Sequence, residues 1–292
     1  MKIVQLLEND PGLREGERFA GILGATPSKG ARSPVLWNAA FQAFGRAERM
    51  VPMDIVAENV NPVLEGLAAD TNFIGGAVTM PHKETIAAWL GSGRLTPEAE
   101  KIGAVNCLFR NEAGELCGTN TDGEAALSVV RETVPDLKGV KAVLIGPGGA
   151  GKAVAAFLAG AGTTLTLVSR TPDAVKDFGG RIGASAISHE DIEEVLPGCS
   201  LIVNCTPVGF SNGVKGESPL NQAALALVPP AALVFDVIYD PPATPLLELA
   251  AQRGLKTENG LKMNLLQAVH GFSKAAGISD LGRIESSMKA SG

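Results

Sequence analysis

Three runs in the first half of the chain collect side chains able to hold a hydroxylated ring and move one proton on it. They are AVTMPHKETI (Ala77 to Ile86), GAVNCL (Gly103 to Leu108) and GTNTDG (Gly118 to Gly123). Together they supply Lys83, Asp122, Asn106, Asn120, Thr79 and Thr121 in an otherwise apolar setting. Lys83 follows a strand and falls on the first turn of a helix, where the helix dipole disfavours a cation. That is a poor place for a merely solvating lysine and a suitable one for a proton donor. Asp122 ends its run on a turn before a helix and could pair with Lys83. An aspartate that caps the helix N-terminus is the competing reading.

A second chemistry follows in GPGGAGK (Gly146 to Lys152), which lies between the apolar run KAVLIG and an apolar helix. That strand–turn–helix context is what a dinucleotide-binding turn requires. Gly146 permits the tight turn, Gly148 and Gly149 leave bare backbone for a pyrophosphate, and Gly151 lets helix and strand pack closely. The phosphates would then meet unpaired N–H groups at the helix start. A glycine-rich turn without a ligand is the alternative. At the end of the next strand, Ser169, Arg170 and Thr171 stand where NAD-binding chains place an acid. A cation beside the ribose favours the 2′-phosphate of NADP, with NAD still possible. Asp173 close by and Ala174 in place of a second cation weaken that preference.

Alternating strands and helices must position these groups. FAGILG (Phe19 to Gly24), MVPMDIV (Met50 to Val56) and NFIGGAVTM read as strands, and VLWNAAFQAFG, NPVLEGLAAD and HKETIAAWLG read as helices. The alternation implies parallel pairing with helices on both faces. It restarts after a helix at roughly Gly123 to Glu132, with TLTLVSR, LIVNCTPVG and ALVFDVIYD as later strands. The reading is an α/β chain of two domains, residues 1–123 and a dinucleotide-binding domain at 124–261. A long amphipathic tail helix, 262–292, would pack back onto the first.

With 45% hydrophobic and 19% charged residues among 292, the chain has ample material for such cores. A formal net charge of -6, scarce aromatics and no basic stripe argue against a nucleic-acid partner. No apolar run reaches the ~18 residues of a membrane span, and the acidic start does not read as a signal peptide. These features place the protein in the cytoplasm, with Cys107, Cys117, Cys199 and Cys205 as free thiols. The three histidines are scattered, which makes a metal site improbable, and His82 is expected to line the cleft or the surface.

In the order VTMPHKE, GAVN, NTDG, GPGGAGK, SRT, NCTPVG, DVIYDPPATPLL and GLKMNLLQ, the chain resembles the shikimate dehydrogenase family, from about Gly21 to Phe272. The resemblance implies an N-terminal substrate domain, a C-terminal Rossmann domain and a cleft between them. It implies Lys83 and Asp122 as the catalytic pair. Ser33, Thr79, Asn106 and Gln267 would contact the substrate, with Tyr239, the only tyrosine, near the nicotinamide. It places cofactor contacts at Gly146, Gly148, Gly149, Ala150, Gly151, Ser169, Arg170, Thr171, Thr206, Pro207 and Val237. Shikimate and 3-dehydroshikimate are the implied substrate pair, with quinate or another analogue as the alternative, in a monomer or homodimer. A non-catalytic nucleotide-binding relative is the rival from another class.

Three departures stand out. The family's Ser-x-Ser-Pro run, whose hydroxyls hold the substrate carboxylate, is here Ala31, Arg32, Ser33, Pro34. Ser28 or Lys29 could replace the missing serine, or Arg32 could supply a cation. Lys262 stands where the family has a glycine beside the nicotinamide, and Cys107 replaces the threonine after GAVN.

Overall fold

The computed structural model describes residues 2–211 and 213–291. They divide into two compact units, the residues through Thr121 with those from Leu265 onward, and Asp122–Asn264. The strands of the first unit are β1 (Phe19–Gly24), β2 (Arg49–Asp54), β3 (Phe73–Val78), β4 (Cys107–Arg110) and β5 (Leu116–Thr119). Those of the second are β6 (Lys141–Ile145), β7 (Thr164–Ser169), β8 (Ser185–Ser188), β9 (Leu201–Asn204), β10 (Leu233–Asp236) and β11 (Lys256–Glu258). Helices α1 (Ser33–Ala43), α2 (Val60–Ala69), α3 (Lys83–Leu90) and α4 (Pro97–Ile102) belong to the first unit. Next come α5 (Asp122–Thr133), α6 (Gly149–Gly160), α7 (Lys176–Ile182), α8 (Gln222–Ala226) and α9 (Pro245–Gln252). The chain closes with α10 (Leu261–Ala276) and α11 (Leu281–Lys289).

In the first unit the sheet order is β2-β1-β3-β4-β5. Side chains alternate along β1, so Phe19 and Leu23 enter one core while Ala20 and Ile22 enter the other. The first core is closed by Val63, Leu64 and Leu67 of α2 and by Ile86 and Leu90 of α3. The second is closed by Trp37 and Phe41 of α1, Phe272 of α10, and Ile284 and Met288 of α11. Phe272 meets Trp37 and Phe41 edge-on, with ring centroids 5.3 and 4.8 Å apart. Each such pair adds roughly 0.5–1.5 kcal/mol to burial. This is how the tail is held on the first unit and how Gln267, on the same helix, is positioned.

Parallel pairing was expected throughout, but in this first sheet it holds only for β1 with β2 and β3. β3, β4 and β5 are antiparallel. The connection between β4 and β5 spans only 111–115, far too short for a crossover helix. Asn111 organises that turn, accepting from the Glu115 N–H at 2.9 Å.

The second unit holds an all-parallel sheet in the order β11-β10-β9-β6-β7-β8. Read from the far end, this is the 3-2-1-4-5-6 order of dinucleotide-binding sheets, with its switch point between β6 and β9. One core joins Val143, Ile145, Ile202 and Val234 to Leu225 of α8 and Leu246 of α9. α5 packs on α6, and Gly123 gives the space: a Cβ there would lie 2.3 Å from Phe157. No described helix is long and apolar enough to cross a membrane.

Candidate active site

The substrate half is assembled where β3 ends. Val78 donates its N–H to the Asn106 carbonyl at 2.7 Å, and the Thr79 N–H goes to the Leu23 carbonyl at 2.8 Å. These bonds place Thr79, half-buried, beside the strand that begins after Asn106. α3 then starts at Lys83, whose carbonyl accepts from the Val105 N–H at 3.0 Å, so the lysine is tied to the residue before Asn106. His82 was expected at the cleft or surface. It is instead 2% exposed, with Nε2 2.7 Å from the Ile55 carbonyl. A ring pinned between the segment after β2 and the first turn of α3 fixes the helix start at Lys83.

Asn106 is the centre of this half. Its Nδ2 donates to Thr121 Oγ1 at 3.0 Å and to Gln267 Oε1 at 3.4 Å, while its Oδ1 accepts from the Thr121 N–H at 2.8 Å. Thr121 Oγ1 in turn donates to the Gln267 carbonyl at 3.0 Å. Residues far apart in sequence thus form one buried polar cluster, with Asn106 and Thr121 only 2% and 7% exposed. Sequence reasoning named Thr121 among the ring-holding groups of its run but did not make it a substrate contact as it did Asn106 and Gln267; here it is the residue that ties those two together. Asn120 is structural, donating to the Ala104 carbonyl at 3.0 Å. Asp122 follows Thr121, is buried, and opens α5.

The loop before α1 differs from expectation at one position. Ser28 donates its hydroxyl to Asp54 Oδ2 at 2.5 Å and its N–H to Oδ1 at 2.9 Å. Its side chain therefore anchors the loop to the end of β2 and does not replace the missing serine. Ser33 is buried as the first residue of α1, with half-buried Arg32 just before it. Cys107, in place of the family's threonine, packs beneath α10, its Sγ 3.5 Å from the Gly271 carbonyl. Burial pushes its thiol up to about 12, so it is an inert filler.

The nucleotide half lies at the switch point of the second sheet. Gly146 has φ +85°, open to glycine at little cost, and a Cβ there would lie 2.5 Å from Thr206 Cγ2. A Cβ on Gly151 would lie 2.2 Å from the Gly146 carbonyl oxygen. The turn is thus a backbone cradle at the start of α6, with Gly148, Gly149 and Ala150 at its open side. Its N–H groups fit a pyrophosphate. At the end of β7, Ser169 Oγ accepts from the Thr171 N–H at 3.2 Å, which turns the chain and leaves Arg170 exposed. Asp173, which stood close enough to blunt a phosphate preference, is bonded to Lys176 at 2.5 Å; that contact lowers its pKa. Thr206 and exposed Pro207 follow β9, and Val237 and Tyr239 follow β10, with Tyr239 edge-on to Phe210 at 5.9 Å.

Residues 23–108 match the shikimate dehydrogenase substrate binding domain. A shikimate dehydrogenase (NADP(+)) of Synechocystis sp. is 34% identical over 265 residues, covering 88% of this chain and 89% of that protein. The chain belongs to the shikimate dehydrogenase family. A crystal structure of a shikimate dehydrogenase in complex with NADP+ superposes with a TM-score of 0.82 at 27% identity, covering 95% of this chain and 96% of that one. The quinate dehydrogenase of Corynebacterium glutamicum, solved with NAD, gives a TM-score of 0.79 at 25% identity, covering 94% and 99%. Against that family pattern, Lys262 is the substitution nearest the expected nicotinamide site. Its ammonium forms an ion pair with Glu132 of α5, which gives the charge a partner.

Proposed function

We propose that this member of the shikimate dehydrogenase family interconverts shikimate and 3-dehydroshikimate with NADP(H), in the cytoplasm. The observation that carries the reading is the buried Asn106–Thr121–Gln267 cluster built against the Lys83 helix start. Amides held in one orientation recognise ring hydroxyls, because a misplaced hydroxyl leaves buried donors unpaired. Gly146, Gly148, Gly149, Ala150 and Gly151 would hold the cofactor's pyrophosphate, Ser169, Arg170 and Thr171 its 2′-phosphate, and Thr206, Pro207 and Val237 its nicotinamide end. When bound, that group accepts a hydride from the ring carbon bearing the alcohol, or returns one.

Lys83 handles the proton on the reacting oxygen, taking it as the alcohol is oxidised and returning it as the ketone is reduced. Asp122 balances the lysine's charge and orients the same hydroxyl. Thr79, Asn106 and Gln267 hold the remaining hydroxyls. Ser33, with Arg32 at the start of α1, faces the carboxylate, and Tyr239 borders the ring. Quinate is the second reading, favoured by Ala31 in the carboxylate run, which relaxes the family's paired-hydroxyl contact. Lys83→Ala tests the assignment: turnover should drop by about three orders of magnitude, in the range removed with a general acid–base group, while NADP still binds. Undiminished turnover would remove Lys83 from the proton step. Sedimentation of the purified chain distinguishes monomer from homodimer.

A further inference from the structure

At the switch point of the second sheet lies a buried polar network that the proposed mechanism does not use. Asn204 ends β9 and Asp236 ends β10 directly opposite it; both are fully buried. Asp236 Oδ1 accepts from Asn204 Nδ2 at 3.0 Å and from the Ile238 N–H at 3.1 Å. Its Oδ2 accepts from the Thr244 hydroxyl at 2.7 Å, and Thr244 in turn caps α9. On the other side, Asn204 Oδ1 accepts from the Thr206 N–H at 3.0 Å and the Thr206 hydroxyl at 2.7 Å. The Thr206 oxygen then accepts from the Val208 N–H at 3.2 Å.

The chemistry gives this chain a direction. A carboxylate only accepts, so it compels Asn204 to turn its NH2 toward β10 and its carbonyl oxygen toward Thr206. Asp236 thereby sets the amide that holds the Thr206 turn, and through the Ile238 N–H it also fixes the Val237 segment. These are the two loops assigned above to the nicotinamide end of the cofactor. The pyrophosphate cradle and the Ser169–Arg170–Thr171 corner make none of these bonds. Burial disfavours the charged carboxylate and raises its pKa to about 6, against the opposing pull of its bonds from Thr244, Ile238 and Asn204. A costly group at the junction of two binding loops is better placed for alignment than for stability.

We propose that Asp236 is a positioning residue for the nicotinamide end of the cofactor, acting through Asn204 on Thr206 and through Ile238 on Val237. The proposal rests on the NADP reading above. It is tested by calorimetric titration of the full chain with two probes, NADP+ and 2′-phospho-adenosine diphosphate ribose, which lacks the nicotinamide. Asp236→Ala removes every acceptor. Asp236→Asn keeps the shape and one acceptor, so it covers the case in which the alanine variant does not fold.

The expected result is a loss of NADP+ affinity of about tenfold or more in Asp236→Ala and a smaller loss in Asp236→Asn. Binding of the fragment should stay within about twofold of the unsubstituted chain in both. Equal losses on the two probes would overturn the proposal by reducing Asp236 to a general structural role. Unchanged affinity for both probes in a folded variant would overturn it as well. Failure of the unsubstituted chain to bind either probe would overturn the NADP reading itself, and the positioning role with it.

Discussion

Thr121→Val isolates what the substrate-side cluster does. The substitution exchanges a hydroxyl for a methyl of similar size, so it opens no cavity. It removes the bond from Asn106 Nδ2 and the bond to the Gln267 carbonyl, each 3.0 Å, while the Thr121 N–H bond to Asn106 Oδ1 survives. Asn106 Nδ2 keeps its 3.4 Å bond to Gln267 Oε1, and the Gln267 carbonyl lies within α10, so two bonds are lost but neither partner is stranded. At about 0.5–1.5 kcal/mol for each net hydrogen bond, the first unit should lose roughly 1–3 kcal/mol. At about 2–4 °C per kcal/mol for domains of this size, the melting point of that unit should fall by several degrees. The Asn106 amide is then held by the Thr121 N–H and by Gln267 Oε1 alone, so it and the Gln267 side chain are oriented less tightly. KM for shikimate should rise about tenfold or more, equivalent to at least 1.4 kcal/mol. NADP affinity should not move, since the cradle lies in the other unit. Initial-rate kinetics with thermal unfolding and cofactor titration read all three quantities. A fall in stability with kcat and KM unchanged would refute the reasoning, because the cluster would then be a fold element only.

Further outcomes follow from the same geometry. Arg170→Ala should weaken NADP by about tenfold or more and leave NAD nearly unchanged; equal losses in cofactor titrations would take Arg170 out of the 2′-phosphate site. Gly151→Ala should sharply reduce dinucleotide binding, because its Cβ would lie 2.2 Å from the Gly146 carbonyl and the turn must move; unchanged binding would show that the cradle tolerates reshaping. Asp236 has a folded pKa raised to about 6, above its ordinary 3.8, so its stabilising contribution is full below the unfolded value and is lost as pH rises through 6. Between pH 5 and pH 7.5 that loss is about 1.4 kcal/mol, so the stability of Asp236→Asn relative to the unsubstituted chain should improve by that order. A pH-independent difference in denaturant unfolding would contradict the assignment.

What was legible in the sequence was local. KAVLIG and GPGGAGK announce a strand, a turn and a helix because glycine spacing and apolar periodicity act over a few residues. The same holds for α3, bounded by Pro81 and Gly91. What was not legible depends on partners far along the chain. Ser28 looked available until β2 brought Asp54 beneath its loop. His82 looked like a surface or cleft group, but its ring nitrogen finds a carbonyl on the segment after β2. Thr121 joins residues separated by 15 and 146 positions, a connection no local pattern carries. The antiparallel turn between β4 and β5 was missed because its strands are only four residues each. The tail, read as one helix over 262–292, is two, α10 and α11, separated at Gly277, whose φ of +68° is not helical.

The most direct test of the central claim is an initial-rate assay of reduced nicotinamide formation, crossing shikimate and quinate with NADP+ and NAD+. The account expects shikimate with NADP+ to be the fastest combination, and Lys83→Ala to abolish that rate. Absence of turnover in every combination, with NADP+ still bound, would contradict it.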